Sequence, residues 1–242
     1  MDKQKKQWQC YPETPLTKEE IHREIKTKVS RIDKEFAKAF EFIKDIPRSV
    51  TMFGSARFDE TNDHYAQARR LASRIAKELG YTLLTGGGGG IMEAGNRGAS
   101  EAGGESAGLN IRLPKEQYGN GYTTKSMEFY YFFIRKVALS FAAEAYIFFP
   151  GGFGTLDEFF EIVTLIQTKK IHRVPVFLVG ADYWNPLDDF IKKTLLGVHH
   201  TISPEDTEIY TVTDDEDEII KRIREAPVYD ALHRHQKTKP EC

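Results

Sequence analysis

The sequence predicts an α/β protein: a Rossmann-like, doubly wound parallel sheet with helices on both faces and an amphipathic helix at the N-terminal end. Three observations carry this reading. Short, nearly continuous apolar runs recur at Val50–Phe53, Thr82–Thr85, Ser106–Ile111, Tyr146–Phe149 and Val174–Val179. Helical periodicity fills the intervals between them. Glycine-rich turns follow directly on the second and fourth runs. Strands that are apolar on both sides are buried on both faces, and parallel strands need crossovers, which the helical stretches supply.

In order along the chain, residues 1–16 are polar and read as a mobile tail. Thr17 and Glu20 have capping-box spacing, in which the hydroxyl accepts from the amide three residues on and the carboxylate reaches back. Ile21, Ile25, Val29, Ile32, Phe36, Phe40 and Ile43 then step by threes and fours. They form one stripe of a helix that Pro47 ends and that lies against the main domain or a partner subunit. Further helices are predicted at Asp63–Leu79, Ile91–Ala102, Glu128–Ala143 and Thr155–Thr168, with two more near Pro186–Leu196 and Asp215–Arg224. The acidic run Asp214–Glu218 reads as a helix start favoured by the dipole. Residues 1–47 thus form a tail and helix, 48–225 the nucleotide-binding domain, and 226–242 a flexible tail.

Composition narrows the partners. The 242 residues are 40% hydrophobic and 29% charged, with formal net charge −2 and pI ≈ 6.4. No basic excess argues for nucleic acid, and no apolar run reaches the ~18 residues of a membrane span. The cysteines, Cys10 and Cys242, form neither a disulfide framework nor a metal site, and the first residues lack a signal-peptide pattern, so a cytoplasmic protein is expected. The seven histidines, His199, His200, His233 and His235 among them, lack zinc-ligand spacing. No metal and no cofactor is expected.

In an open parallel sheet, ligands sit beyond the C-terminal strand ends, so the turns there are searched first. After the first run stands the turn Gly54, Ser55, Ala56, Arg57: a close backbone approach, a hydroxyl and a permanent charge. After the second come five glycines, Gly86–Gly90, then Ile91, Met92 and Glu93. Such a loop lets backbone amides surround an anion at a helix start. It lacks the Gly-Lys-Ser/Thr ending of a Walker A loop and the third glycine of the dinucleotide fingerprint, so the phosphate of a mononucleotide fits it better. After the fourth run stands Pro150, Gly151, Gly152, Phe153, Gly154, Thr155, Leu156, Asp157, Glu158. Thr155 and Glu158 have capping-box spacing, so Glu158 reads either as a helix cap or as a site acid. The two glycine-rich turns look like two walls of one site. Arg135 and Lys136 follow the aromatic run Phe129–Phe133. Adjacent helical positions diverge by about 100°, so one cation enters the pocket and the other grips phosphate or a carboxylate.

Gly86–Ala99, Arg135–Lys136 and Pro150–Glu158 resemble the Lonely guy (LOG) family of cytokinin riboside 5′-monophosphate phosphoribohydrolases, also called possible lysine decarboxylases. The Gly54–Arg57 turn and the long N-terminal helix look like its larger bacterial branch. The likeness covers residues 49–196, and PGGxGTxxE is its specific part. It implies hydrolysis of the N-glycosidic bond of AMP or an N6-substituted AMP, an AMP nucleosidase-like reaction giving free base and ribose 5-phosphate without cofactor. It further implies Arg135 and Glu158 as the catalytic pair. Gly54, Ser55, Gly87, Gly88, Gly89, Gly90, Glu93, Met127, Lys136, Gly151, Gly152, Phe153, Gly154, Thr155, Leu156, Asp157 and Thr164 are the expected substrate-binding residues. Phe133 and Ile134 stand where plant members have Met-His, and Gly89 fills the fourth loop position; both bear on base preference. A homodimer or larger assembly is expected from the aromatic run, the long helix and the resemblance. Some relatives with a PGGxGT turn carry molybdenum cofactor; such a carrier, catalytically inert, is the alternative, and it needs the glycine turns but not the Arg135–Glu158 pair. Lysine decarboxylation needs pyridoxal phosphate on a lysine, and nothing in the sequence marks one.

Overall fold

The computed structural model describes residues 17–46, 48–112 and 119–227. Pro47 and both terminal tails, on which three expectations fall, lie outside these residues. The chain opens with α1 (Lys18–Lys44) and continues β1 (Ser49–Phe53), α2 (Asp63–Arg74), β2 (Thr82–Thr85), α3 (Ile91–Glu101), β3 (Ser106–Ile111) and β4 (Lys125–Phe129). It then runs α4 (Phe132–Phe141), β5 (Ala145–Phe148), α5 (Phe153–Gln167), β6 (Val176–Leu178), α6 (Ala181–Phe190), β7 (Thr211–Val212) and α7 (Glu216–Glu225). Helices α2 and α6 each end in wider π-type turns, Ile75–Leu79 and Ile191–Val198.

The seven strands form one sheet in the order β4-β3-β2-β1-β5-β6-β7, and every pair is parallel. From β1 the chain winds outward through β2, β3 and β4, then crosses back to lay β5 on the other side of β1. The strand order therefore reverses between β1 and β5, and their C-terminal ends diverge into a crevice, where doubly wound folds hold ligands. The two ends are tied at its base: the Phe149 amide donates to the Phe53 carbonyl and the Ser55 amide to the Pro150 carbonyl, each at 2.9 Å.

Side chains alternate across the pleat and so build two cores. Tyr146 and Phe148 of β5 join Leu84, Leu109, Ile134, Phe159 and Trp184 on one face. Ala145 and Ile147 join Met52, Leu71, Ile75, Ile91 and Ile219 on the other. Both faces are covered, which explains the uninterrupted apolar strands.

The predicted helix Glu128–Ala143 is corrected. Residues 125–129 form an edge strand paired with β3, and the helix starts only at Phe132. Two expected runs of helix begin earlier than read, α5 at Phe153 and α6 at Ala181, which leaves Pro186 inside it. Strand β7, two residues long, gave no sequence signal. The acidic run behaves as expected: Asp215 accepts the Asp217 and Glu218 amides at the start of α7.

Helix α1 has its predicted capping box between Thr17 and Glu20. Its C-terminal half packs on the domain, with Ala39 and Ile43 buried and Phe36 against Phe133 at 6.2 Å between ring centres. Glu35 accepts the amides of Tyr130 and Tyr131 at 2.6 and 3.0 Å, satisfying donors at the start of α4. The N-terminal half leaves Ile21, Ile25 and Val29 at 44%, 53% and 58% exposure.

Candidate active site

A cavity of about 790 Å³ opens at the reversal point between β1 and β5. One wall is the turn after β1, with Gly54, Ser55, Ala56, Arg57 and Phe58. The other is the turn after β5 and the first turns of α5, Gly151 to Leu156 with Glu158. Arg135 and Phe132 reach it from α4, Met92 from α3 and Tyr183 from α6.

The turn after β5 is shaped by close approach. A Cβ on Gly151 would stand 2.1 Å from Thr155 Oγ1, so only glycine lets α5 begin so near the strand end. Tyr183 Oη donates to the Gly151 carbonyl at 2.7 Å and braces the turn from behind. Helix α5 starts after Gly152 with no side-chain cap. Its first turn lines the cavity, where the positive end of the helix dipole favours an anion.

Glu158 is not a cap. The helix begins at Phe153, which places Thr155 and Glu158 inside it, and the capping-box spacing is coincidental. The Glu158 side chain is buried, and its Oε2 has no hydrogen-bond partner. Burial pushes its carboxyl up to about 7; Lys136 and Arg135 oppose the rise, and Glu161 and Asp157 add to it. A carboxyl poised near neutrality inside a cleft can exchange a proton at physiological pH.

Arg135 extends along the cavity floor. Its Nε donates to the Leu109 carbonyl at 2.6 Å and Nη2 to the Gly86 carbonyl at 3.4 Å. Its guanidinium lies 5.9 Å from the Phe132 ring centre. Burial lowers its pKa from the ordinary value while Glu158 opposes this; an arginine stays charged throughout. Lys136 points the other way, onto α5, where its Nζ meets Asp157 Oδ2 at 2.7 Å and Glu161 Oε2 at 3.1 Å. The divergence expected of neighbouring helical residues is thus observed: Arg135 takes the pocket and Lys136 grips carboxylates.

Of the expected residues, the structure brings Gly54, Ser55, Arg135, Gly151, Gly152, Phe153, Gly154, Thr155, Leu156 and Glu158 to the cavity wall. It places Gly87, Gly88, Gly89, Gly90, Glu93, Met127, Lys136, Asp157 and Thr164 outside that lining. Glu93 accepts from Tyr65 Oη at 2.9 Å, Met127 packs on the core below the sheet edge, and Thr164 is exposed farther along α5. The first part of the glycine loop bonds to the protein itself. The Gly87 amide donates to Thr85 Oγ1 at 2.9 Å, and the Gly87 carbonyl accepts from the Asn120 amide at 2.9 Å. Asn120 Nδ2 bonds the Gly88 carbonyl and Asn96 Oδ1, both at 2.9 Å. At the start of α3 the Ile91 amide donates to the Ser55 carbonyl at 2.9 Å. The loop thereby supports the turn after β1 from below and gives the cavity Gly86. The sequence reading missed Met92, Phe132 and Tyr183 as lining residues. Their apolar character resembles that of any core position, and no local spacing distinguishes them.

Among the described residues no lysine lines this cavity, so none of them anchors a pyridoxal Schiff base there. Among the described residues no helix is long and apolar enough to cross a membrane.

The sequence model of the family described as "Possible lysine decarboxylase" matches residues 92–223. The cytokinin riboside 5′-monophosphate phosphoribohydrolase LOG3 of Arabidopsis thaliana is 36% identical over 106 residues, 43% of this chain and 46% of that protein. The chain thus spans about half the length of that relative. LOG5 of the same plant is 26% identical over 200 residues, 79% of this chain and 84% of its own. The fold is similar to that of the molybdenum cofactor carrier protein of Chlamydomonas reinhardtii, with a TM-score of 0.56 at 20% identity over 74% of this chain and 96% of that one. With more than half of its length inside the family's sequence model, the chain belongs to the possible lysine decarboxylase family, that of the LOG phosphoribohydrolases.

Proposed function

We propose that the protein hydrolyses the N-glycosidic bond of a nucleoside 5′-monophosphate, AMP or an N6-substituted AMP, releasing the free base and ribose 5-phosphate. The observation that carries this is the buried Glu158 carboxyl, with an unpartnered oxygen, sharing one crevice with the half-buried Arg135 guanidinium. Cleavage passes through an oxocarbenium-like sugar cation. Water adds to C1′ as the C1′–N bond breaks, and the base leaves with the bonding electrons and a proton. Glu158 stabilises the cation when ionised, or passes the proton to or from the reacting atoms. The uncapped start of α5, with Arg57 on the facing wall, suits the single phosphate. Phe132, Phe153, Met92 and Leu156 offer an apolar surface for the purine. The names of the LOG relatives support this substrate class. An inert carrier would need neither the buried acid nor its arginine.

The test is a panel of 5′-monophosphates, nucleosides and triphosphates, with free base separated by chromatography. Turnover is expected for the monophosphate, with inorganic phosphate competing. Cleavage of adenosine as fast as AMP would overturn the phosphate assignment.

We infer that the active form is at least a homodimer. Ile21, Ile25 and Val29 of α1, with Tyr130 just before α4 and Phe132 and Phe133 at its start, are exposed large apolar groups, and such surface marks interfaces. Light scattering at micromolar concentration is expected to give twice the chain mass of 27.7 kDa or more; a monomer refutes it.

A further inference from the structure

We propose that Lys136, expected from the sequence to touch substrate, is a positioning residue: clamped between Asp157 and Glu161, it holds an ion cluster on the flank of α5 that sets the charge state of Glu158. This rests on the proposed role of Glu158 and adds to it how the acid is held ready.

The geometry leaves Lys136 little freedom to reach the cavity. Only 16% of its side chain is exposed, and its Nζ is engaged by two carboxylates of α5, at 2.7 and 3.1 Å. Glu158 and Glu161 are one turn apart, as are Asp157 and Glu161, so the three acids crowd adjacent sides of one helix. Three neighbouring carboxylates repel one another when ionised, and a buried one is the first to take up a proton. Lys136 supplies the compensating charge at their edge. The charged groups acting on Glu158 are Arg135 and Lys136 from α4 and Asp157 and Glu161 from its own helix. Of the two cations Lys136 opposes protonation more strongly than Arg135 does, although only Arg135 lines the cavity. The adjacent pair therefore divides the work. Arg135 faces the ligand, and Lys136 tunes the acid from behind.

The division can be read without any turnover. In protein labelled with 13C at the glutamate carboxyl carbon, the Glu158 signal is assigned by its loss in Glu158→Gln and followed through pH. The intact protein is expected to give a midpoint near neutrality. Lys136→Gln is expected to raise it by about one pH unit and Glu161→Gln to lower it by a similar amount, while Lys136→Arg, which can still pair both acids, restores it. Where the enzyme turns over, the inflection of its pH–rate profile follows the same shifts. An unchanged Glu158 midpoint in folded Lys136→Gln overturns the proposal, as does a Lys136→Gln protein whose sole change is a raised KM for the monophosphate. If Lys136→Gln fails to fold, a Glu161→Gln midpoint that does not fall still overturns it. Failure of the phosphoribohydrolase reading is seen separately, as no base released by any of these proteins while the carboxyl titrates as expected.

Discussion

Replacing Glu158 by glutamine is expected to cut the turnover rate about a hundredfold or more while the monophosphate still binds. Glutamine keeps the shape of the side chain but can neither carry charge toward a sugar cation nor exchange a proton. Because the interaction exists only near the transition state, kcat falls and KM changes little. Stability is expected to move the other way. Burial pushes the Glu158 carboxyl of the folded protein up to about 7 from the ordinary 4.5, so the native state holds a proton that the unfolded chain has already lost. Between these values stability falls as pH rises, because the native state binds more protons than the unfolded one. This contribution is complete below the unfolded value and gone above the folded one. The variant lacks this dependence, so its melting temperature, compared with the native protein's, gains from about pH 5 to about pH 7 and levels off above that. Turnover and melting temperature measured together decide the matter. Near-normal turnover would sink the proposed chemistry, and an equal fall in melting temperature at every pH would return Glu158 to a purely structural part.

Gly90→Ala is expected to destabilise the fold by about 3 kcal/mol or more, through strain and overpacking together. Gly90 has φ +68° and ψ −131°, a conformation that residues with a Cβ avoid. An added Cβ would stand 2.2 Å from the Ser55 carbonyl oxygen and 2.7 Å from the Ala56 backbone. Those atoms belong to the cavity wall, so the turn after β1 must move or α3 must start later. Gly89→Ala is the control. Its Cβ would meet the Ala56 carbonyl oxygen at an ordinary 3.7 Å, and the expected loss is within about 0.5 kcal/mol. Thermal or denaturant unfolding reads both. A Gly90→Ala protein as stable as the native one would show that the loop does not carry the turn.

How far the sequence reaches is clear from particular residues. The strands Thr82–Thr85 and Ser106–Ile111 fall on their predicted limits, because both are buried over all or most of their length and carry no charged residue. Strand β4 does not. At the sheet edge its first four residues alternate between partly buried and exposed and only Phe129 is buried, and the sequence KSMEF has too little apolar content to stand apart from the aromatic helix that follows. The stripe of α1 is equally legible, but not where it ends in contact: Ala39 and Ile43 are covered while Ile25 and Val29 of the same stripe are exposed. Periodicity reports which side of a helix is apolar and says nothing about what lies opposite.

The same boundary divides the site. By itself the sequence determined the doubly wound class and the turn beyond β5 as a wall of the site, and its motifs, through the resemblance they carry, joined Arg135 to Glu158; it took the five-glycine loop beyond β2 for the other wall, a place the structure gives to the turn beyond β1. Each reading rests on a local pattern of spacing or a motif carried within a few residues. Only the tertiary structure decided that Glu158 lies inside α5 rather than capping it, and that Arg135 faces the cavity while Lys136 faces two carboxylates. It alone turned the Gly87 amide onto Thr85 and the Gly87 and Gly88 carbonyls onto Asn120. Those outcomes depend on which groups meet across distant segments. A glycine loop offers the same backbone donors to a phosphate or to a neighbouring chain, and the order of strands around β1 determines which of the two is in reach.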